Sequence, residues 1–201
     1  MLETNFLTNY LTRPVYFSSD TDDHALVRQT LDGQTEAFGM LVTRYQRVMF
    51  TVAMRMLGNP EDARDATQDA FVKAYRRLAT FDTRYRFYSW MYRILVNECL
   101  NVTRDRRHEE PLGIDLAGGG DPFDAALGSE RRTQIEAALL RLTPEQRAVT
   151  VLCHFAGQSY GEIAEALAIP EKTVKSRLYT ARQRLGEMLL GWKEPEKEDA
   201  R

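Results

Sequence analysis

The sequence predicts an all-α protein: two small helical domains joined by a flexible linker, the C-terminal one a helix-turn-helix. Three observations predict it. Apolar residues recur at threes and fours along most of the chain, without the alternation that a strand needs. Capping signals mark the starts of successive helices. A stretch rich in glycine and proline then interrupts the periodicity and divides the chain. With 201 residues, 43% hydrophobic and 28% charged, the chain falls among soluble globular proteins of one or two domains.

Residues 1–23 read as an N-terminal extension, with Pro14 and a polar run from Ser18 to Asp23 that suits a tail or a helix start. A first domain is placed at 24–108. Its first helix runs from about Asp23 to Asp32. The second spans Thr35 to Leu57, with Phe38, Leu41, Tyr45, Val48, Met49, Val52 and Met56 at helical spacing. Gly58 is a natural C-terminal cap. Asn59-Pro60-Glu61-Asp62 opens the third: the asparagine caps, the proline sits in the first turn, and acids face the helix dipole. This helix runs to about Ala79. A loop from Thr80 to Arg86 leads to a fourth helix, from about Phe87 to Arg106. Residues 109–128 hold Pro111, Gly118-Gly119-Gly120 and Pro122, and are the linker. The second domain, 129–190, opens with a helix from Ser129 to Arg141. Thr143-Pro144-Glu145-Gln146 forms a capping box for a helix to about Ala156. Ser159-Tyr160-Gly161-Glu162 forms another after a Gly157-Gln158 turn. Residues 191–201 are a charged tail.

Several function classes are excluded. No GxGxxG, P-loop, HExxH or GxSxG is present, so the chain is not expected to be an enzyme. Cys99 and Cys153 form no CxxC, and His24, His108 and His154 are scattered, so no metal and no cofactor are expected. No run of 18 apolar residues exists, so no membrane insertion is expected. The N-terminus lacks a basic segment followed by an apolar core, so no signal peptide is read there. Unpaired thiols suit a reducing cytosol, which predicts a cytoplasmic protein. The formal net charge is −2. A near-neutral total with basic stretches leaves a second, acidic face for another task.

The sharpest motif lies between Ser159 and Leu185. Ile163, Ala164 and Leu167 line one face of a short helix, and Ala168-Ile169-Pro170 makes the turn. Val174, Leu178, Ala181 and Leu185 then seat a second helix on the first. From Glu171 to Glu187 that helix carries five basic residues against two acids, the surplus that fits a major groove. In the first domain, Asp62, Asp65 and Asp69 share one helical face with Gln68, a stripe able to dock on a basic partner, while Ala63, Ala66, Ala70 and Ala74 let another helix pack close. After it comes an aromatic and basic region: Phe81, Arg84, Tyr85, Arg86, Phe87, Tyr88, Trp90, Tyr92 and Arg93. Aromatics stack on unpaired bases and arginines track a single strand. Trp90, Ile94 and Leu95 are spaced as core, and Phe87 reads as a packing anchor.

The run from Ser159 to Leu185, preceded by Leu142-Thr143-Pro144-Glu145-Gln146-Arg147-Ala148, resembles the −35-reading domain of the extracytoplasmic-function (ECF) group of bacterial RNA polymerase sigma factors. The run from Phe38 to Leu78, through Gly58-Asn59-Pro60, resembles the polymerase-binding and −10-reading domain of the same group. The resemblance covers about 24–188 with the linker unmatched, in the right domain order. It implies two partners, core RNA polymerase and promoter DNA, and a third, an anti-sigma factor. It places Thr173, Lys175, Ser176, Tyr179 and Thr180 on the base-reading face, with Lys172 beside them and Arg177 and Arg182 at phosphates. It places the −10 pocket in the loop from about Ala79 to Tyr88, which carries Phe81, Arg84, Tyr85, Arg86 and Tyr88, and upstream duplex contacts at Asn97, Asn101 and Arg104. It gives the clamp helices of the polymerase to the helix that carries Asp62, Asp65, Gln68 and Asp69. Two positions depart from the pattern: Thr180 stands where several members carry a basic residue, and Glu171 replaces a small one. Two alternatives stay open at this point: a free-standing dimeric regulator that binds a palindrome, and a mimic that titrates an inhibitor.

Overall fold

A computed structural model describes residues 20–109 and 129–189. Its helices are α1 (Asp20–Leu31), α2 (Thr35–Leu57), α3 (Pro60–Arg76), α4 (Phe87–Glu109), α5 (Ser129–Leu140), α6 (Pro144–His154), α7 (Tyr160–Leu167) and α8 (Glu171–Leu189), with a 3-10 turn at Leu78–Thr80. No strand occurs among the described residues. The expected linker falls almost wholly on 110–128, and the extension and tail largely on 1–19 and 190–201; these segments lie outside the described residues.

Local chemistry accounts for the helix boundaries. Gly58 ends α2 at φ 72°, in the left-handed region where a side chain would strain, and its N–H donates to the Met54 carbonyl. Asn59 Oδ1 then accepts from the Glu61 and Asp62 amides at 2.8 and 3.2 Å, which satisfies the first free donors of α3. Thr143–Gln146 and Ser159–Glu162 close reciprocal capping boxes on α6 and α7.

One expectation changes at the N-terminal side. Asp23, read as the polar end of an extension, is fully buried inside α1. Its carboxylate takes Arg44 on one oxygen and the Tyr45 hydroxyl on the other. A buried carboxylate survives only with such partners, so Asp23 pins α1 to the middle of α2.

Helix α2 packs against α1, α3 and α4, and the alanine face of α3 (Ala63, Ala66, Ala70, Ala74) is buried as its spacing predicted. In the C-terminal half, α8 lies against α5, α6 and α7. The two halves do not keep separate cores. Buried Val149, Leu152, Ile163 and Leu178 join the same apolar cluster as Tyr45, Met56 and Phe87, while Leu139, Ala181 and Leu185 form a small second cluster. The contact runs through α4 against α6 and α7, and α2 against α5 and α6.

Three groups fasten it. The buried Arg147 guanidinium donates to the Leu139 carbonyl at 3.0 Å, to Leu140 at 2.5 Å and across the halves to the Met56 carbonyl. Arg55 lies over the Phe155 ring at 4.1 Å. A Cβ on Gly58 would come within 2.5 Å of the Leu140 side chain, which would have to shift, so the halves meet closely at a position that its φ already reserves for glycine.

Candidate nucleic-acid interface

The C-terminal surface is built on α7 and α8. Ala168 closes α7 in the left-handed region (φ 52°, ψ 45°), and its N–H bonds back to Ala164 and Glu165. A non-glycine residue there costs on the order of 1 kcal/mol and holds only when its surroundings over-determine it. Here Ile169 and Pro170 turn the chain at once into α8. Val174, Leu178, Ala181 and Leu185 are all buried, the seam that the spacing predicted.

With that face committed, Lys172, Lys175, Ser176 and Tyr179 point to solvent, while Thr173, Arg177, Thr180 and Arg182 are half-buried at its margins. Tyr179 is 65% exposed, an unusual state for a large aromatic, and its hydroxyl accepts from Gln183 at 2.9 Å. Lys175 bonds Glu171 one turn earlier at 2.6 Å, and this hydrogen bond raises its pKa. Glu171, the residue that departs from the resembled pattern, thus holds a lysine that faces solvent. Thr180 Oγ lies 3.2 Å from the Ser176 carbonyl and donates into its own helix. Beneath α8, His154 is buried and its pKa falls to about 4, first by burial and then by the Arg182 charge.

The N-terminal surface is a loop and a helix stripe. Asp82 caps the loop by accepting from the Arg84 amide at 3.0 Å, and its carboxylate also takes the Arg84 guanidinium. These bonds hold the Asp82 pKa below the usual carboxylate value. Arg84, Tyr85 and Arg86 are exposed, as are Asn97 and Arg104, and Asn101 is half-buried. Arg104 donates to Asn101 Oδ1 at 3.2 Å.

Two residues expected at this surface sit elsewhere. Phe81 and Tyr88 are buried. Phe81 packs edge-on to Phe87 and against Trp90, with centroids 5.6 and 5.4 Å apart, and Tyr88 packs on Tyr92. Their rings are committed to the core in this conformation, so the aromatic free to stack is Tyr85, 47% exposed. The reason is register: Phe81 follows the 3-10 turn inward and Tyr88 falls on the inner face of α4.

The helix stripe faces a neighbour. Trp90, Arg93, Asn97 and Asn101 line a cleft of about 770 Å3 whose far wall is Glu162, Glu165 and Ala166 of α7. At its end Ser89 Oγ lies 2.8 Å from Gln158 Oε1 and 3.4 Å from Glu162 Oε1. Sequence reasoning missed these acids, because nothing local in α7 says that it will cross α4. Trp90, read as core, is half-buried on the cleft wall.

On α3, Asp65, Gln68 and Asp69 are exposed together, whereas Asp62 is half-buried and paired with Arg106 of α4. Asp62 is therefore tied to its own fold rather than free on the stripe. Beside the stripe runs an apolar groove of about 720 Å3, floored by Phe38, Phe50, Phe71 and Tyr75 and rimmed by Arg47, Arg64 and Gln68. The signal that could have located it is Val72 and Tyr75, 41% and 46% exposed, one turn apart on the outward side of α3. Burial raises the Cys153 pKa and pushes that of Cys99 up to about 12, so neither thiol is activated. Among the described residues no cluster of three or more His, Cys, Asp or Glu could hold a metal.

This geometry has known counterparts. A sigma-70 region 2 model matches residues 41–109 and a sigma-70 region 4 model matches 132–185. The ECF RNA polymerase sigma factor SigW of Bacillus subtilis is 32% identical over 176 residues, covering 81% of this chain and 94% of that one. The ECF RNA polymerase sigma-E factor of Escherichia coli K12 is 33% identical over 182 residues, covering 83% and 93%. Among solved structures, CnrH in complex with the cytosolic domain of CnrY aligns with TM-score 0.66 and 28% identity, covering 86% of this chain and 99% of that one. The sigma factor RpoE of Bartonella quintana, bound to the anti-sigma factor NepR, aligns with TM-score 0.67 and 25% identity, covering 78% and 98%.

Proposed function

The chain belongs to the sigma-70 family of RNA polymerase sigma factors, in its ECF group, and from that premise we propose which of its surfaces does what. An ECF sigma factor binds core polymerase and directs it to promoter DNA. Such factors are transcription initiation proteins rather than enzymes, and we assign no catalysis to this one. The observation that carries the assignment is that α8 buries Val174, Leu178, Ala181 and Leu185 and leaves Lys172, Lys175, Ser176 and Tyr179 on one open face. That face reads −35 duplex, with Thr173 and Thr180 at its edges and Arg177 and Arg182 at phosphates. Arg84, Tyr85 and Arg86 capture the −10 strand, and Asn97, Asn101 and Arg104 contact the duplex above it. Asp65, Gln68 and Asp69, with the adjacent apolar groove, dock on the polymerase.

These assignments divide the chain into a polymerase-binding and −10-reading unit at 24–108 and a −35-reading unit at 129–190, joined by 109–128. Elements 25 base pairs apart lie roughly 80 Å apart along B-form DNA, yet α4 and α7 touch in this conformation. The two units must therefore separate to read both elements, and polymerase binding supplies the energy. Because CnrH and RpoE are held by CnrY and NepR in their structures, we assign this chain an anti-sigma partner as well. No helix among the described residues is long and apolar enough to cross a membrane, and we place its action in the cytoplasm. Run-off transcription with purified core polymerase over fragments of the source genome tests the reading: a promoter-specific product is expected. Tight, polymerase-independent binding to a palindrome with no such product would overturn it.

A further inference from the structure

We propose that His24 is a positioning residue for capture of the −10 strand. Its ring Nε2 lies 3.1 Å from the Tyr85 carbonyl, a contact across 61 positions of sequence. A carbonyl only accepts, so Nε2 carries the hydrogen and donates. The same ring packs at a tilt of 56° against Phe81, with centroids 5.7 Å apart.

The two contacts grip the loop at both ends. Between the 3-10 turn and α4 the backbone has no regular structure, and Asp82 closes it from within, its carbonyl accepting from the Tyr85 N–H at 3.0 Å and its carboxylate from the Arg84 N–H at 3.0 Å. His24 adds the bond from outside. It can do so because its neighbour Asp23 is buried beneath Arg44 and Tyr45, which fixes α1 on α2. The peptide after Tyr85 is therefore set by α1, while the Tyr85 ring stays open to solvent. A backbone already fixed does not have to be ordered when a base arrives. The inference rests on the reading of Tyr85 as the stacking residue.

The test uses full-length protein bound to core polymerase and a labelled fork-junction DNA. The DNA is duplex through −35 with the −10 non-template strand single, taken from the promoter that gives the run-off product. His24→Phe keeps a ring against Phe81 and removes the donor; His24→Gln restores a donor at a similar reach. Tyr85→Ala is the control. His24→Phe should weaken fork binding about fivefold to tenfold, the equivalent of about 1 kcal/mol, with affinity for core polymerase and for a fully duplex −35 fragment unchanged. His24→Gln should return it to within about twofold of the parent. If Tyr85→Ala weakens binding and His24→Phe does not, the positioning role is overturned while the −10 reading stands. If His24→Gln is as weak as His24→Phe, the hydrogen bond is not the cause and the proposal falls. If Tyr85→Ala changes nothing, the −10 reading fails and takes the inference with it.

Discussion

The two surfaces that we assign to DNA are built on opposite plans. On α8 a regular helix is bolted down by four buried apolar residues, and the face of Lys172, Lys175, Ser176 and Tyr179 is open to solvent even in the closed molecule. The −10 surface is a loop and a helix stripe. The loop is held by side-chain bonds from Asp82 and His24, and the stripe faces Glu162 and Glu165 of α7 across a narrow cleft. Duplex DNA presents a regular groove, so a rigid exposed helix suffices to read it. An unpaired strand has to be caught in a shaped pocket, and a shaped pocket can be covered. We infer that closure restricts approach to the Asn97 and Asn101 stripe, which faces α7, and leaves the outer face of α8 open.

The largest test removes the fastening. Arg147→Ala takes one donor from each of the carbonyls of Met56, Leu139, Leu140 and Leu142 and empties the volume of a buried side chain. We expect about 3–5 kcal/mol of destabilisation from the lost hydrogen bonds and the cavity together, concentrated in the C-terminal half. Thermal melts followed by hydrogen exchange should show α5, α6 and α8 losing protection before α2 and α3. Equal loss in both halves would show that the interface, rather than the C-terminal unit, carries the energy of Arg147.

Acid should separate the halves in the same sense. His154 has its pKa lowered from 6.5 to about 4 by burial and by Arg182. The unfolded chain takes up this proton first, so stability is full above about pH 6.5 and falls as pH drops towards 4. At about 1.4 kcal/mol per unit, discounted for the partial access of the ring, the loss is about 2 kcal/mol. His154→Gln should flatten that part of the stability curve. A variant with the parent's slope between pH 6.5 and 4 would assign the effect to other groups.

How far the sequence foretold each surface follows from what kind of information each uses. The seam Val174, Leu178, Ala181, Leu185 is local periodicity, and the caps at Asn59, Thr143 and Ser159 are local chemistry, so all were legible. Phe81 and Tyr88 were not. An aromatic in an aromatic and basic run can face a base or the core, and only the register of α4 and the 3-10 turn decides. Asp23 was read only as the polar end of a tail or the start of a helix, because its partners Arg44 and Tyr45 lie on another helix. The contact of Ser89 with Gln158 joins residues 69 apart, and no pattern within α4 or α7 encodes it.

Smaller effects discriminate between the surfaces themselves. Arg177→Ala removes the phosphate contact proposed for that residue on α8. Affinity for −35 duplex should fall about tenfold whatever the sequence, and the slope of log K against log salt should flatten by about 0.9. Because closure leaves α8 open, the same loss should appear in the free protein and in the polymerase complex. A loss seen only with polymerase would show that α8 is occluded when the molecule is closed.

The least effect, and the most direct trial of gating, comes from Ser89→Asp. Its carboxylate would stand where the hydroxyl now lies 2.8 Å from Gln158 Oε1 and 3.4 Å from Glu162 Oε1. Two oxygens that now share one proton donor would meet a third with none. The repulsion is worth about 1 kcal/mol at a partly exposed site. Arg147, Arg55 over Phe155 and the Gly58–Leu140 contact remain to oppose it. The open fraction should therefore rise about fivefold without the closed form disappearing. When a binding-competent state is a minority, apparent affinity scales with its population. Single-stranded −10 DNA should then bind the free protein up to about fivefold more tightly, while −35 duplex binds as before. The two titrations must diverge for the contrast to hold: if both improve together, or neither moves, the cleft between α4 and α7 does not gate the −10 surface.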